Sequence, residues 1–301
     1  MNIGKTMKDI EAAKRAKKKS RENKINWILI AKTAALILLL LAAAWFFGVV
    51  CERIQNGYLN ILLVGKDIID LGINVVIAST LFCMALEIAA TLIRPFWVML
   101  ISLVLTAPAI MAGWEFSQNT AIVTLLFAAI AIFHAYSVKH KLNNQIAFSL
   151  HPLFDAQKLL IMGLTGVICA SFALGYFADA TKNNFAIPPQ AKETISKYLI
   201  DTTRQTIEKD SKLKKDQVTD AVTKSQQQYD KMLTDIETQI KPQIQNVAIF
   251  MGIMLFFILY TAMILLGLLI LFVLEIIFPI LKITRFTKLQ TEMAEIKKLT
   301  L

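Results

Sequence analysis

Residues 247–281 read VAIFMGIMLFFILYTAMILLGLLILFVLEIIFPIL, and Glu275 is the one charged residue in this run of 35. A helix of about 20 apolar residues crosses a hydrocarbon core about 30 Å thick, whereas 35 residues extend to about 52 Å. Tilting does not absorb so large an excess. The run therefore predicts a spanning helix whose first part, to about residue 255, rises above the bilayer and packs on protein. The apolar stretch 58–64 is a candidate partner.

Five further apolar segments of near-spanning length precede this run. They cover residues 27–50, 71–92, 96–113, 120–137 and 159–177. The chain is 56% hydrophobic, with a mean hydropathy of +0.56, well above a soluble domain of its length. We predict an all-α, polytopic membrane protein with about six transmembrane helices. The short third and fourth segments form either a tight hairpin of two spans or a re-entrant pair, and Pro108 bends the third.

The first segment also has some features of a secretory signal peptide. Leucines at 38–41 are followed by three alanines at 42–44, which resembles an apolar core with a small-residue cleavage site. The basic region before it is long, however, and the apolar run continues to residue 50. These features favour an uncleaved first span.

Lysine and arginine predict the orientation of the spans. Nine basic and three acidic residues precede Trp27, and basic residues exceed acidic ones in short cytoplasmic segments of membrane proteins. If this end is cytoplasmic, Arg94, Lys139 and the basic tail lie on the same side. Both termini are then cytoplasmic and residues 182–246 extracytoplasmic. A prokaryotic plasma membrane is the expected location.

The pattern divides the chain into five parts. These are a basic segment 1–26, a bundle of five spans 27–181, an extracytoplasmic helical hairpin 182–246, a sixth span 247–281 and a basic tail 282–301. Apolar residues recur at helical spacing in both terminal parts, which predicts amphipathic helices on anionic headgroups. For 1–26, a solvated tail that only enforces topology fits equally well. No aromatic residues interleave with its lysines, so nucleic acid is not a predicted partner.

The polar stretch before the sixth span carries a heptad pattern. Val222, Tyr229 and Ile236 share one heptad position, and Leu233 and Ile240 share the other. This pattern predicts an antiparallel hairpin or coiled-coil stalk over 190–245 that continues into the sixth span, with a kink at Pro242. The apolar stripe is narrow for an independent core. We therefore expect it to pack on a second copy, a partner or the ends of the spans, the alternative being a self-contained spacer.

Ionisable residues inside the spans are the second feature with a functional interpretation. Lys32, Glu87 and Glu275 each lie seven or eight residues from a cytoplasmic flanking base, with His134 slightly shallower and Arg94 beside them. If their helices are neighbours, they form an ionic layer that handles protons or cations. The structural alternatives are an ion-pair clasp, with Lys32 on one glutamate and Arg94 on the other, or side chains that reach the headgroups.

No pattern indicates an enzyme, and we predict no catalytic residue, cofactor or metal site. Three cysteines exclude a disulfide framework, and only Cys51, at a span boundary, is expected to be accessible. The leading hypothesis is an interaction or assembly protein, whose bundle anchors the hairpin for self-association or for docking of an envelope partner. The alternative is a small channel or a proton- or cation-coupled transporter that uses the inner-leaflet carboxylates.

Overall fold

The computed structural model describes residues 27–65, 67–143, 151–210, 215–284 and 286–287, with the backbone alone at 143, 151–155, 208–210 and 215–217. The described chain is 91% helical and contains no strand. Six of its helices are long and apolar enough to cross a membrane. The predicted all-α fold is confirmed, as is the expected number of helices long and apolar enough to span a membrane. The predicted surface helices in 1–26 and 282–301 fall almost entirely outside the described residues.

Ten helices make up the described chain. They are α1 Trp27–Asn56, α2 Tyr58–Leu62, α3 Ile68–Leu92, α4 Phe96–Val104, α5 Thr106–Gly113, α6 Gln118–Asn143, α7 His151–Asn183, α8 Pro189–Asp210, α9 Lys215–Ile240 and α10 Ile244–Ile283. Helices α4 and α5 together form the third apolar segment. They are separate because Pro108 has no N–H to donate to the carbonyl of Val104, four residues earlier.

Helix α1 lies at the centre of the bundle, in contact with α3, α5 and α7. Its crossing with α5 depends on two glycines. A Cβ atom on Gly48 would lie 2.1 Å from the carbonyl oxygen of Ile110, and one on Gly113 would lie 2.1 Å from that of Trp45. Backbones approach this closely only through small residues, which is a common form of helix packing in membranes.

Helices α9 and α10 form one nearly continuous rod. A 3-10 turn, Lys241–Gln243, separates them, and Pro242 lies within it. The interruption lies where the sequence predicts the kink.

The first part of α10 packs on protein, as its excess length predicts. Ala248 is buried, and a Cβ on Gly252 would lie 3.3 Å from that of Ala173 on α7. The candidate partner 58–64 and α10 both line a cavity of about 410 Å³. Apolar side chains at the end of α2, in the loop after it and at one end of α10 face that cavity. They include Leu62, Leu63, Val64, Val247 and Met251.

The opposite face of α10 is apolar and uncovered along most of its length. Phe257, Ile258, Leu265 and Phe272 are between 64% and 71% exposed. A helix that packs on protein along one side and exposes a long apolar stripe on the other is suited to contact with lipid.

Candidate functional site

Helices α3 and α6 bring Glu87 and His134 together in the interior of the bundle. The Glu87 side chain is 1% exposed and that of His134 is 0% exposed. The Nε2 atom of His134 lies 3.2 Å from Oε1 of Glu87, although the ring N–H direction is not aligned for a hydrogen bond. This contact joins a carboxyl group to an imidazole, in an environment otherwise dominated by apolar side chains, and it is an ion pair only when both ring nitrogens are protonated.

Helix α7 orients the histidine from its other side. The Nδ1 atom of His134 lies 2.9 Å from the backbone carbonyl oxygen of Ala156. A carbonyl oxygen only accepts hydrogen bonds, so Nδ1 must carry a proton. On α3, the hydroxyl of Thr91 donates to the backbone carbonyl of Glu87 at 2.8 Å. The pair therefore lies where three helices meet.

Several polar atoms near this level lack a hydrogen-bond partner among the described residues. Both oxygens of Glu87 belong to this group, as do both amide atoms of Gln157, which follows Ala156 on α7 and is 1% exposed. Gln157 faces α10 at Gly267, where a Cβ would lie 3.9 Å from the amide oxygen. A buried polar group without a partner costs about 1–3 kcal/mol, so polar atoms in this state are candidates for a functional role.

The pair lies close to one end of the bundle. Glu87 is five residues from the end of α3, or about 8 Å, and His134 is about 12 Å from Leu142. Ala156 lies five residues after the start of α7 at His151. We call this the basic end of the bundle, because Arg94, Lys139, Lys141 and Lys158 are located there in the sequence.

The other residues of the predicted ionic layer are not joined to this pair. The Lys32 ammonium donates to the carbonyl oxygen of Phe286 at 3.0 Å and lies 5.0 Å from the centre of its ring. Arg94 and Glu275 are exposed on the surface of the bundle. The structure thus joins two of the five residues, and the full layer stays a prediction.

The hairpin of α8 and α9 is closed by contacts between its two helices. The hydroxyl of Ser196 donates to a carboxylate oxygen of Asp230 at 3.1 Å. The hydroxyl groups of Thr203 and Tyr229 are 2.9 Å apart. Residues of the predicted interaction face take part in this packing, because Val222 and Leu233 are only 7% and 6% exposed.

Glu237 forms hydrogen bonds across the base of the hairpin, which is the end next to the bundle. One carboxylate oxygen accepts from the backbone N–H of Ala186 at 3.2 Å, and the other accepts from Lys192. Partial burial opposes the charge of Glu237, but these two hydrogen bonds outweigh it and hold the pKa of the carboxyl below its ordinary value. The hydroxyl of Tyr176, on α7, donates to the carbonyl of Ala186 at 2.5 Å.

Polar contacts also join α2 to the hairpin end of α7. The Tyr58 hydroxyl donates to a carboxylate oxygen of Asp179, and the amide of Asn183 donates to the other at 2.5 Å. Burial, and then the neighbouring Asp179, raise the pKa of Tyr58. The loop that follows α2 has an unusual backbone, because Val64 has a φ of 52°, a region that β-branched residues rarely adopt.

The surface of the hairpin carries large apolar side chains at helical spacing. Ile195 and Tyr198 on α8 are 41% and 71% exposed, and Met232 and Ile236 on α9 are 45% and 36% exposed. Of the predicted interaction face, Ile236 alone belongs to this exposed set, while Tyr229 and Ile240 are half-buried. Four exposed apolar residues on an otherwise polar pair of helices are suited to binding another protein.

The sequence pattern anticipated Glu87 and His134 because both are ionisable residues in apolar segments. It missed Gln157 and the Ala156 carbonyl, since the start of α7 resembles a polar loop. It also missed the link of Glu237 to Lys192, because the two residues are 45 positions apart. The expectation for Cys51 was wrong: it is 0% exposed, because α1 is long enough to keep it inside the bundle.

No cluster of metal-ligating side chains occurs within the described part of the chain. Comparison with protein-family models, with curated proteins and with solved structures finds no match to this chain. The site must therefore be interpreted from its own geometry.

Proposed function

We propose that this chain is an integral membrane assembly protein, whose bundle of helices presents the α8–α9 hairpin to a second copy or to an envelope partner. The hairpin stands outside the cytoplasm in the orientation that the basic residues favour. Both termini then lie in the cytoplasm of a prokaryotic cell, with their lysines next to anionic headgroups.

One observation carries this proposal: the hairpin is firmly connected to the membrane-spanning body. Helix α9 continues into α10 through a single 3-10 turn, and Glu237 joins the start of α8 to α9 and to the segment that follows α7. A surface held in this way does not have to be ordered when a partner binds, which saves part of the entropic cost of association. The exposed Ile195, Tyr198, Met232 and Ile236 give that surface its apolar contacts.

Cross-linking through an introduced cysteine tests this proposal directly. The native Cys51, Cys83 and Cys169 are all buried, so Tyr198→Cys adds a single exposed thiol. We expect membranes that contain this variant to give either a disulfide-linked dimer or a thiol cross-link to a defined envelope protein. Asp220→Cys is the matched control, since Asp220 is exposed on α9 but is not one of the four apolar residues.

A second variant protects this experiment from a misleading negative result. Tyr198→Glu puts a charge into the same surface, and we expect it to abolish the association seen in native mass measurements of the solubilised complex. If Tyr198→Cys cross-links no more than Asp220→Cys, and if Tyr198→Glu leaves the native mass unchanged, the assembly proposal is wrong.

The second candidate is a small channel or a proton- or cation-coupled transporter. It is favoured by the burial of Glu87 against His134 in the membrane-spanning body. Ion flux into proteoliposomes separates the two candidates. Transport predicts that Glu87→Gln abolishes flux while the protein still inserts, whereas assembly predicts that only the hairpin variants lose function. Glu275→Gln, on the exposed side of α10, is the matched control for a change of carboxylate to amide.

A further inference from the structure

The protonation state of the Glu87–His134 pair follows from its contacts. Nδ1 carries a proton because it faces the carbonyl of Ala156. The remaining question is whether the pair holds one further proton, either on Nε2 or on the carboxyl group of Glu87; we call it the shared proton. Without one, a bare carboxylate would remain in an apolar interior with no described hydrogen-bond donor, at a cost of several kcal/mol.

Two protons in addition to the one on Nδ1 are also unfavourable. An imidazolium would then face a neutral carboxylic acid in an apolar core, and its charge would have no counterion. One shared proton gives a net charge of zero, whether as imidazolium with carboxylate or as neutral imidazole with carboxylic acid. The apolar surroundings therefore favour one proton on the pair over none or two.

We propose that Glu87 and His134 form an occluded proton-binding site, which exchanges its one shared proton with water from the basic end of the bundle. When water reaches the site, the proton leaves Nε2 or the carboxyl group as hydronium. A neutral imidazole, still protonated at Nδ1, and a hydrated carboxylate remain. When the site closes, one proton is taken up again from the same side.

Gln157 marks the entry route. Gln157 follows Ala156 on α7, its amide faces Gly267 of α10, and that amide lacks a hydrogen-bond partner among the residues described. A water molecule that enters at the basic end satisfies this amide first and then reaches the pair. The distance is short, because Glu87 is only five residues, or about 8 Å, from the end of α3.

The charged and titratable groups near the pair lie on its own two helices and on the helices that pack against them. On the same helices these are Cys83, one turn before Glu87, and Lys139, His140 and Lys141, within two turns after His134; Lys141 acts on the histidine through its charge. The helices that pack against α3 and α6 contribute further groups at this end. They are Lys32 on α1, Lys158 on α7, and Glu275 and Lys282, both exposed, on α10. Helices α4 and α5 contain no charged residue.

Nitrogen-15 NMR of histidine-labelled protein in liposomes tests the proposal. The chain has three histidines, so His134→Asn assigns one set of signals by its disappearance. We expect Nδ1 of His134 to be protonated, and the shared proton to persist between pH 5 and 9. In deuterated water, that proton should exchange within hours. Glu87→Gln should remove the shared proton and leave His134 neutral, whereas Glu275→Gln should change neither result.

Gln157→Leu is the decisive variant, because it removes the polar route without touching the pair. We expect it to keep the shared proton and to slow its exchange for deuterium by tenfold or more. Three results would overturn the proposal: an unprotonated Nδ1, a shared proton that is lost between pH 5 and 9, or exchange that is absent or unaffected by Gln157→Leu. None of these depends on the hairpin, so the outcome is independent of the cross-linking test.

Discussion

The bundle and the hairpin each contain an acidic side chain in contact with a basic one, and the two pairs are held in very different surroundings. In the bundle, Glu87 and His134 are 1% and 0% exposed. At the base of the hairpin, Lys192 and Glu237 are 30% and 16% exposed. The buried pair gains strength from the low dielectric but has no alternative partner if one member is lost. The outer pair has water as a substitute. Burial therefore decides how much each pair contributes.

The largest expected effect comes from breaking the buried pair. His134→Ala should lower the free energy of unfolding by about 3–5 kcal/mol, because Glu87 is left without its counterion in the core. Titration with a denaturing detergent, followed by circular dichroism, measures this loss. The double variant Glu87→Leu/His134→Phe should recover most of it, since no unpaired charge remains. A double variant as unstable as the single one would show that the pair does not act through charge.

The next largest effect tests whether the bundle depends on the close packing of α1 against α5. Gly48→Ala should cost about 1–3 kcal/mol, because its Cβ would meet the backbone of Ile110 on α5. Gly72→Ala on α3 is the control, because a Cβ there meets no other atom within 4 Å and alanine favours helix. Both free energies come from the same detergent titration. Equal effects at the two glycines would contradict the α1–α5 crossing.

At the hairpin base, Glu237→Gln should cost about 1–2 kcal/mol, and only locally. Because hydrogen bonds hold the pKa of Glu237 below its ordinary value of 4.5, its contribution is fully present above that pH. It is lost as the pH falls through the lower, folded value. Amide hydrogen exchange of the α8 and α9 peptides should rise in the variant at pH 7, with no change in the α1–α7 bundle. Asp235→Asn, exposed on the same helix, should have no such effect.

The smallest predicted effect lies in the loop between the two regions. Val64→Gly should stabilise the protein by about 1 kcal/mol, since glycine adopts a φ of 52° without steric cost. Leu63→Gly is the control and should destabilise, because Leu63 has an ordinary φ of −99°. Thermal unfolding in one detergent compares them. If Val64→Gly stabilises but weakens Tyr198 cross-linking, the strained loop contributes to hairpin docking.

The amino-acid sequence alone determined the number of helices long and apolar enough to span a membrane and the break at Pro242. Each of these follows from local chemistry, either from the length of an apolar run or from a proline that cannot donate a hydrogen bond. The sequence also marked Glu87 and His134 as unusual, since ionisable residues in apolar segments stand out without any knowledge of their neighbours.

Only the tertiary structure decided which of these groups meet. Glu87 pairs with His134, whereas Glu275 stays exposed. The rotation of each helix about its axis decides which side chains face the interior, and the distance of a residue from the end of its span does not. The same applies to the hairpin, where Val222 and Leu233 turn inwards and Tyr198 remains exposed. The carbonyl of Ala156 and the amide of Gln157 became part of the site through the packing of α7, which no local pattern encodes.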